Sequence, residues 1–413
     1  MSQPLASDAT IVVVGASLAG MRAAEEIRHL GHSGEVVLIG DETHPPYDRP
    51  PLSKQFLAAK WDEERIHHHT PEKLDAFGLE FRLGLRAIGL DTDAHRVECD
   101  DGSQVHYDGL IIATGARARW LPGTEGMTGV RTLRTLDDSR GLRDDLTKLG
   151  EGARLVVIGA GFIGAEVAAT CHGIGANVTV VEALPTPLAG VIGQQMGEVC
   201  AGLHLDAGVA LRLGVGVDKV VPSPEAASPL QVHLTDGSVL DADVVVVGVG
   251  VTPAVDWLED SGLTLVNGVM CSDRLFAADS VVAAGDVARW THQQLDEDIR
   301  IEHWTNAAEG GALAAHNLIA GSAAAEPYTP VPFFWSDQYQ AKIQVLGRPD
   351  PDDEVVVVDG SAEAEGRKLV ALYRRGDRLS AALAISRPRQ LMAYRPLLAA
   401  AASFDEALEV SRL

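Results

Sequence analysis

The sequence predicts an α/β chain with two Rossmann-type dinucleotide-binding units and a smaller C-terminal α+β region, and three observations carry that prediction. An apolar strand at Ile11 to Val14 runs into Gly15-Ala16-Ser17-Leu18-Ala19-Gly20 and then into an Ala-rich helix. The pattern returns at Leu155 to Ile158, where Gly159-Ala160-Gly161-Phe162-Ile163-Gly164 opens a second helix. Beyond residue 333, short β-rich runs separated by turn signals replace the βαβ rhythm.

Glycines at such turns let the strand reverse sharply and let the backbone approach a pyrophosphate. They also let the helix pack close, with its N-terminal N–H groups facing phosphate. Ser17 stands at the middle glycine position of the first copy, so that copy is degenerate. Each unit places an acid after its second strand, Asp41 beyond Val36 to Ile39 and Glu182 beyond Asn177 to Val181. Both fall about 20 residues past the last glycine, where a carboxylate accepts ribose hydroxyls. Two such units in one chain imply two bound dinucleotides.

At 413 residues the chain is long enough for two or three domains. Its net charge of -24 argues against nucleic acid or an anionic membrane as a general partner. The longest apolar run, Val244 to Val251, is too short to span a bilayer, and residues 1 to 10 lack a secretory pattern. A cytoplasmic location is expected. Cys99, Cys171, Cys200 and Cys271 are scattered without a CxxC pair and read as buried structural thiols. No cysteine lies between Asp41 and Lys60, which argues against disulfide chemistry there.

In chain order, the first helix should close at Gly31. Pro45, Pro46, Pro50 and Pro51 fix φ and remove backbone donors, predicting a stiff, extended mount for Lys54. His67-His68-His69 reads as a solvated loop with no metal site, because three consecutive side chains do not converge on one ion. Residues 79–112 predict a β-meander around Asp101-Gly102, ending in the strand Leu110 to Gly115. Pro222 to Pro229 reads as a loop inside the second unit. Asn306 and Glu309 have capping-box spacing and predict a helix from about Ala307 to Ile319, its positive end suited to an anion. Gly321 to Pro332 reads as a linker. Strands follow at about 341–346, 354–358, 368–373 and 378–385, the last two joined at Gly376-Asp377.

Five stretches point further: Tyr47-Asp48-Arg49-Pro50-Pro51-Leu52-Ser53-Lys54, LRTL at 133–136, GAGFIGAE at 159–166, AAGDVA at 283–288 and FFWSDQY at 333–339. Together the chain resembles the FAD-dependent, NADH-dependent ferredoxin reductases of bacterial oxygenase systems, over nearly its whole length. The resemblance implies a glutathione-reductase-like architecture. An FAD domain would comprise 1–115 and 250–328, an NAD domain 116–249, and a C-terminal interface domain 329–413.

Site residues follow from the same resemblance. Gly15, Ser17, Leu18, Ala19 and Gly20 would hold the FAD pyrophosphate and Asp41 its ribose. Arg49, Lys54 and Arg134 would line the flavin or phosphates. Ala87 and Ala113, Thr114 and Gly115 would meet the adenine half through the backbone. Gly285 and Asp286 would meet the ribityl chain, and Trp304 would lie near the isoalloxazine. Gly159, Gly161, Phe162, Ile163, Gly164, Glu166, Glu182 and Gly250 would bind NADH. Lys54 and Glu166 are the catalytic candidates, as an ion pair at the site of hydride transfer. Glu182, with Thr186 and Gly190 where relatives often carry arginine, favours NADH over NADPH. FAD is expected to be non-covalent, and the acceptor a 2Fe-2S ferredoxin feeding a cytochrome monooxygenase or Rieske dioxygenase. Arg374 and Arg375, or Arg387 and Arg389, are candidates for its docking patch. The competing readings are a rubredoxin reductase or NADH oxidase of the same fold, and a redox-responsive binding protein resembling apoptosis-inducing factor.

Overall fold

The computed structural model describes residues 2–223, 229–363 and 367–411. The chain divides into two compact units, each assembled from separate stretches.

The first unit comprises residues up to Asp48, Glu63–Arg117 and Thr252–Pro330. Its six-stranded sheet runs in the order Phe276–Ala278, Val281–Ala283, Gly109–Ile112, Ile11–Val14, Val36–Gly40 and Glu80–Leu83. All neighbours are parallel except the edge pair formed by Phe276–Ala278 and Val281–Ala283. Ile11–Val14 and Gly109–Ile112 are buried at every position, as suits parallel strands covered on both faces. The helix Leu18–His29 ends at Leu30, and Gly31 follows at φ +79°. The helix Trp304–Ala320 crosses so near that a Cβ on Gly311 would sit 2.3 Å from the Ala19 carbonyl oxygen.

Three sequence expectations change here. Glu80–Leu83 leaves the meander and pairs in parallel with Val36–Gly40, so the meander itself is Ala87–Asp91, Arg96–Cys99 and Gln104–His106. The helix expected from Ala307 begins at Trp304, with His303 in the N-cap position. Asn306 lies inside it, donating its amide to the Ile301 carbonyl and accepting the Tyr328 hydroxyl, so tertiary bonds use the side chain that spacing assigned to a cap. The three histidines are half-buried. His69 pairs with Glu25, while His68 Nδ1 lies 3.5 Å from Asp48, because the loop is pinned to Pro46 and Tyr47 by backbone bonding.

The second unit comprises Arg49–Asp62, Ala118–Val251 and Val331–Leu413. Its parallel sheet runs Ala210–Leu213, Asn177–Glu182, Arg154–Ile158, Val244–Val247 and Val130–Arg131. A three-stranded antiparallel sheet, Val217–Pro222, Leu230–Leu234 and Val239–Ala242, accompanies it. The Pro222 to Pro229 loop joins two of its strands, and residues 224–228 of that loop lie outside the described residues. The C-terminal sheet is antiparallel in the order Phe333–Gln338, Ala341–Gly347, Arg378–Ile385, Leu369–Arg375 and Glu354–Gly360. Gly376 turns at φ +64° between two of these strands.

The proline segment corrects another expectation. Pro50–Ser53 is a single 3₁₀ turn, and the Lys54 N–H donates to the Pro51 carbonyl at 3.0 Å. The φ that proline fixes suits the first turn of a helix as well as an extended chain. This turn is clamped by Ser139, whose hydroxyl donates to the Leu52 carbonyl, and by Thr170, whose hydroxyl donates to that of Ser53, each at 2.7 Å. All four cysteines are buried, and burial pushes the thiols of Cys171, Cys200 and Cys271 up to about 12. Among the described residues no helix is long and apolar enough to cross a membrane.

Candidate functional site

In the first unit, Gly15 turns at φ +116°, and a Cβ there would lie 2.1 Å from the Ala113 carbonyl oxygen. A Cβ on Gly20 would lie 1.8 Å from the carbonyl oxygen of Gly15 itself. Only glycine fits at either place. The helix therefore starts against the strand end, with Ser17 at its N-cap and Leu18, Ala19 and Gly20 in its first turn, whose N–H groups have no partner inside the helix. Gly285 adds a third close approach, since its Cβ would sit 2.9 Å from that of Ala19.

Further candidates of this reading lie in the same unit. Asp41 is exposed immediately after the second strand, and Ala87 opens the meander. Ala113 donates its N–H to the Val14 carbonyl at 2.7 Å, and the Thr114 hydroxyl donates to Ala254 at 2.9 Å. Gly115 accepts the Ala254 N–H at 3.0 Å. Asp286 accepts Arg300 through its carbonyl at 3.0 Å. Trp304 donates its indole N–H to the Asp48 carboxylate at 2.8 Å. His303, next to Trp304, is driven down to about 4 by burial, against the pull of the Asp286 charge, so it is neutral near pH 7.

The second unit repeats the cradle more cleanly. Gly159 turns at φ +97° with its virtual Cβ 2.4 Å from the Gly248 carbonyl oxygen, and that of Gly164 falls 2.0 Å from the Gly159 oxygen. Gly161 is the N-cap of Phe162–Gly173 and faces open space, the room a pyrophosphate requires. Ile163 is exposed beside it, and Phe162 packs edge-on against Phe334. Glu182 closes the second strand, and Gly250 accepts the Arg119 N–H at 3.0 Å. Thr186 is buried and Gly190 carries no side chain, so neither position offers a cation.

Within the same unit Lys54 and Glu166 form a buried ion pair, Nζ to Oε1 at 3.0 Å. Glu166 projects from the helix Phe162–Gly173 and receives hydroxyl donation from Ser53 at 2.6 Å and from Ser336 at 2.8 Å. The Asp337 backbone N–H adds a further bond at 3.2 Å. Burial raises the carboxyl of Glu166 above its ordinary range, and the ammonium and hydroxyl donors pull it back. Arg49 donates to the Arg134 carbonyl at 2.7 Å, which brings those two candidates together. Arg134 is in turn anchored through its own N–H by Asp138.

Sequence reasoning missed Ser53, Ser336 and Asp337 as supports of Glu166. It also missed the capping box of Thr135 and Asp138 that fixes the turn bearing Arg134. The signal was present in FFWSDQY and LRTL, which carry Ser336, Asp337 and Thr135. Of the arginines considered for a docking patch, Arg374, Arg375 and Arg387 each face an acid, Glu354, Asp353 and Asp359 respectively.

Two glycine cradles, each closing the first turn of a strand–helix unit, define a chain built to hold two dinucleotides. Residues 9–311 match the pyridine nucleotide-disulphide oxidoreductase family, and residues 333–410 match the reductase C-terminal family. The chain is 36% identical over 392 residues to rhodocoxin reductase of Rhodococcus erythropolis, covering 94% of this chain and 89% of that one. It is 35% identical over 396 residues to the anthranilate 1,2-dioxygenase system ferredoxin–NAD(+) reductase component of Burkholderia cepacia, covering 95% of each. The crystal structure of the covalent putidaredoxin reductase–putidaredoxin complex matches with a TM-score of 0.88 and 32% identity, over 95% of this chain and 93% of that one. The chain belongs to the ferredoxin reductases of the pyridine nucleotide-disulphide oxidoreductase family, flavoproteins that use FAD and NADH. Its two cradles fit those two dinucleotides.

Proposed function

We propose that this reductase takes electrons from NADH through FAD and hands them singly to a 2Fe-2S ferredoxin serving a cytochrome monooxygenase or Rieske dioxygenase. The observation that carries the reading is that similarity to reductases of such systems spans nearly the full chain, C-terminal region included. Buried, unpaired cysteines are consistent with an outlet other than a protein disulfide. Bound FAD supplies the conversion from a two-electron donor to a one-electron acceptor.

The chain's own residues divide the work. In this reading residues 1–115 and 250–328 hold FAD, 116–249 hold NADH, and 329–413 form an interface region. Gly15 through Gly20 receive the FAD pyrophosphate on backbone N–H groups, and Asp41 receives the ribose. Gly159, Gly161 and Gly164 do the same for NADH, with Glu182 at its ribose. Lys54 and Glu166 stand at the locus of hydride transfer, where a fixed cation and a desolvated acid set the local charge before the reactants meet. The proposed compartment is the cytoplasm, where NADH is regenerated.

The test is NADH-driven cytochrome c reduction by FAD-loaded protein at low salt, with and without a 2Fe-2S ferredoxin. A large ferredoxin-dependent rate is expected. Flavin bleaching by NADH with no gain from any ferredoxin would overturn the acceptor assignment.

A further inference from the structure

Lys54 is shared by two carboxylates. Its Nζ lies 3.0 Å from Glu166 Oε1 and 3.5 Å from Asp337 Oδ2. Side-chain exposure climbs along that row, from 4% at Glu166 through 10% at Lys54 to 37% at Asp337. The hydroxyl partners of Glu166 lead nowhere comparable, since Ser53 and Ser336 are 2% and 0% exposed. The other oxygen of Asp337 faces the half-exposed Lys342 at 3.9 Å. A buried acid, a nearly buried amine and a solvent-facing acid thus stand in line.

The reaction needs such a line. NADH delivers a hydride, which is a proton and two electrons, while each ferredoxin accepts one electron and no proton. NADH and two oxidised ferredoxins therefore give NAD(+), two reduced ferredoxins and one proton, which must reach water. We infer that Glu166, Lys54 and Asp337 form the exit for this proton, an inference that rests on the reading above, which sets Glu166 and Lys54 at the hydride locus. Glu166 accepts the proton. The Lys54 ammonium passes one of its own protons to Asp337 and takes the one held by Glu166, and Asp337 releases its proton to water. Only O–H and N–H bonds break and form, and the three groups return to their starting state.

Asp337→Asn keeps the side chain's size and the backbone N–H to Glu166, and removes the acid. A pH jump on FAD-loaded protein, without NADH or ferredoxin, is followed through the infrared band of the Glu166 carboxyl, identified by its loss in Glu166→Gln. Protonation of Glu166 is expected to be at least about ten-fold slower in Asp337→Asn than in the unaltered chain. Asp337→Glu should restore it. Equal rates in the unaltered protein and Asp337→Asn would overturn the exit, and so would a Glu166 that takes up no proton at any pH where the fold survives. Because neither NADH nor ferredoxin enters this measurement, its failure is distinct from failure of the functional reading, which the cytochrome c assay decides.

Discussion

Glu182 accepts the backbone N–H of Ala160 at 2.7 Å, tying the end of the second strand of its unit to the middle of the glycine turn. Its other oxygen accepts the Leu184 N–H at 2.9 Å. The carboxylate is thereby held by two backbone N–H groups at the position where the proposed reading puts the NADH ribose. A 2'-phosphate would meet a fixed negative charge, with Thr186 and Gly190 supplying no compensating cation. Glu182→Ala should reduce the ratio of kcat/KM for NADH over NADPH by at least about ten-fold, equivalent to 1.4 kcal/mol. An unchanged ratio would mean that the discrimination lies elsewhere.

Lys54→Ala leaves Glu166 buried beside two hydroxyls with no countercharge. Removing one partner of a buried pair costs about 3–5 kcal/mol. Urea denaturation at pH 7 should show a loss of that order. The loss should shrink as pH falls, because Glu166 then becomes protonated and needs no cation. Stopped-flow reduction of the flavin by NADH should slow in the same variant, and an unchanged rate would remove Lys54 from the hydride locus.

What the sequence made legible was local, and what it hid was long-range. Both cradles could be read because a glycine turn, a helix start and an acid some twenty residues on lie within one βαβ unit. Asn306 misled because its spacing to Glu309 is that of a cap, whereas its partners, Ile301 and Tyr328, come from outside the first turn. The proline segment misled because the same φ serves an extended chain and a helical first turn, and Ser139 and Thr170, remote in sequence, select the turn. Ser336 reaches Glu166 across 170 positions, a separation no periodicity reports.

The two cradles should fail independently. Gly20→Ala places a methyl 1.8 Å from the Gly15 oxygen, and Gly164→Ala places one 2.0 Å from the Gly159 oxygen. Neither neighbour is a flexible side-chain end, so the strand–helix turn itself must open. Gly20→Ala should yield protein with little or no FAD, read from its visible absorption. Gly164→Ala should retain the flavin but lose NADH binding, read from a flavin that stays oxidised under NADH and is bleached by dithionite. Loss of flavin from both variants would mean that the second cradle does not serve a separate dinucleotide.

His204 supplies a pH dependence of known sign. It is fully buried on the helix Ala189–Asp206 and shares a hydrogen bond of 2.6 Å with the Tyr339 hydroxyl. Burial pushes the imidazole down to about 4, whereas in the unfolded chain it titrates near its ordinary value of about 6.5. Between those two values the unfolded state binds a proton that the folded state refuses. Stability from this residue is therefore complete above about pH 6.5, declines as pH falls toward about 4, and is level below that. The decline is at most about 1.4 kcal/mol per pH unit for one such group. His204→Gln, which keeps a polar partner for Tyr339, should be less stable than the unaltered protein at pH 7 and lose less on going to pH 5. His303 acts in the same direction, so the slope should fall without vanishing. Urea denaturation at both pH values measures the difference, and an identical slope in the two proteins would mean that His204 carries its proton in the folded state as well.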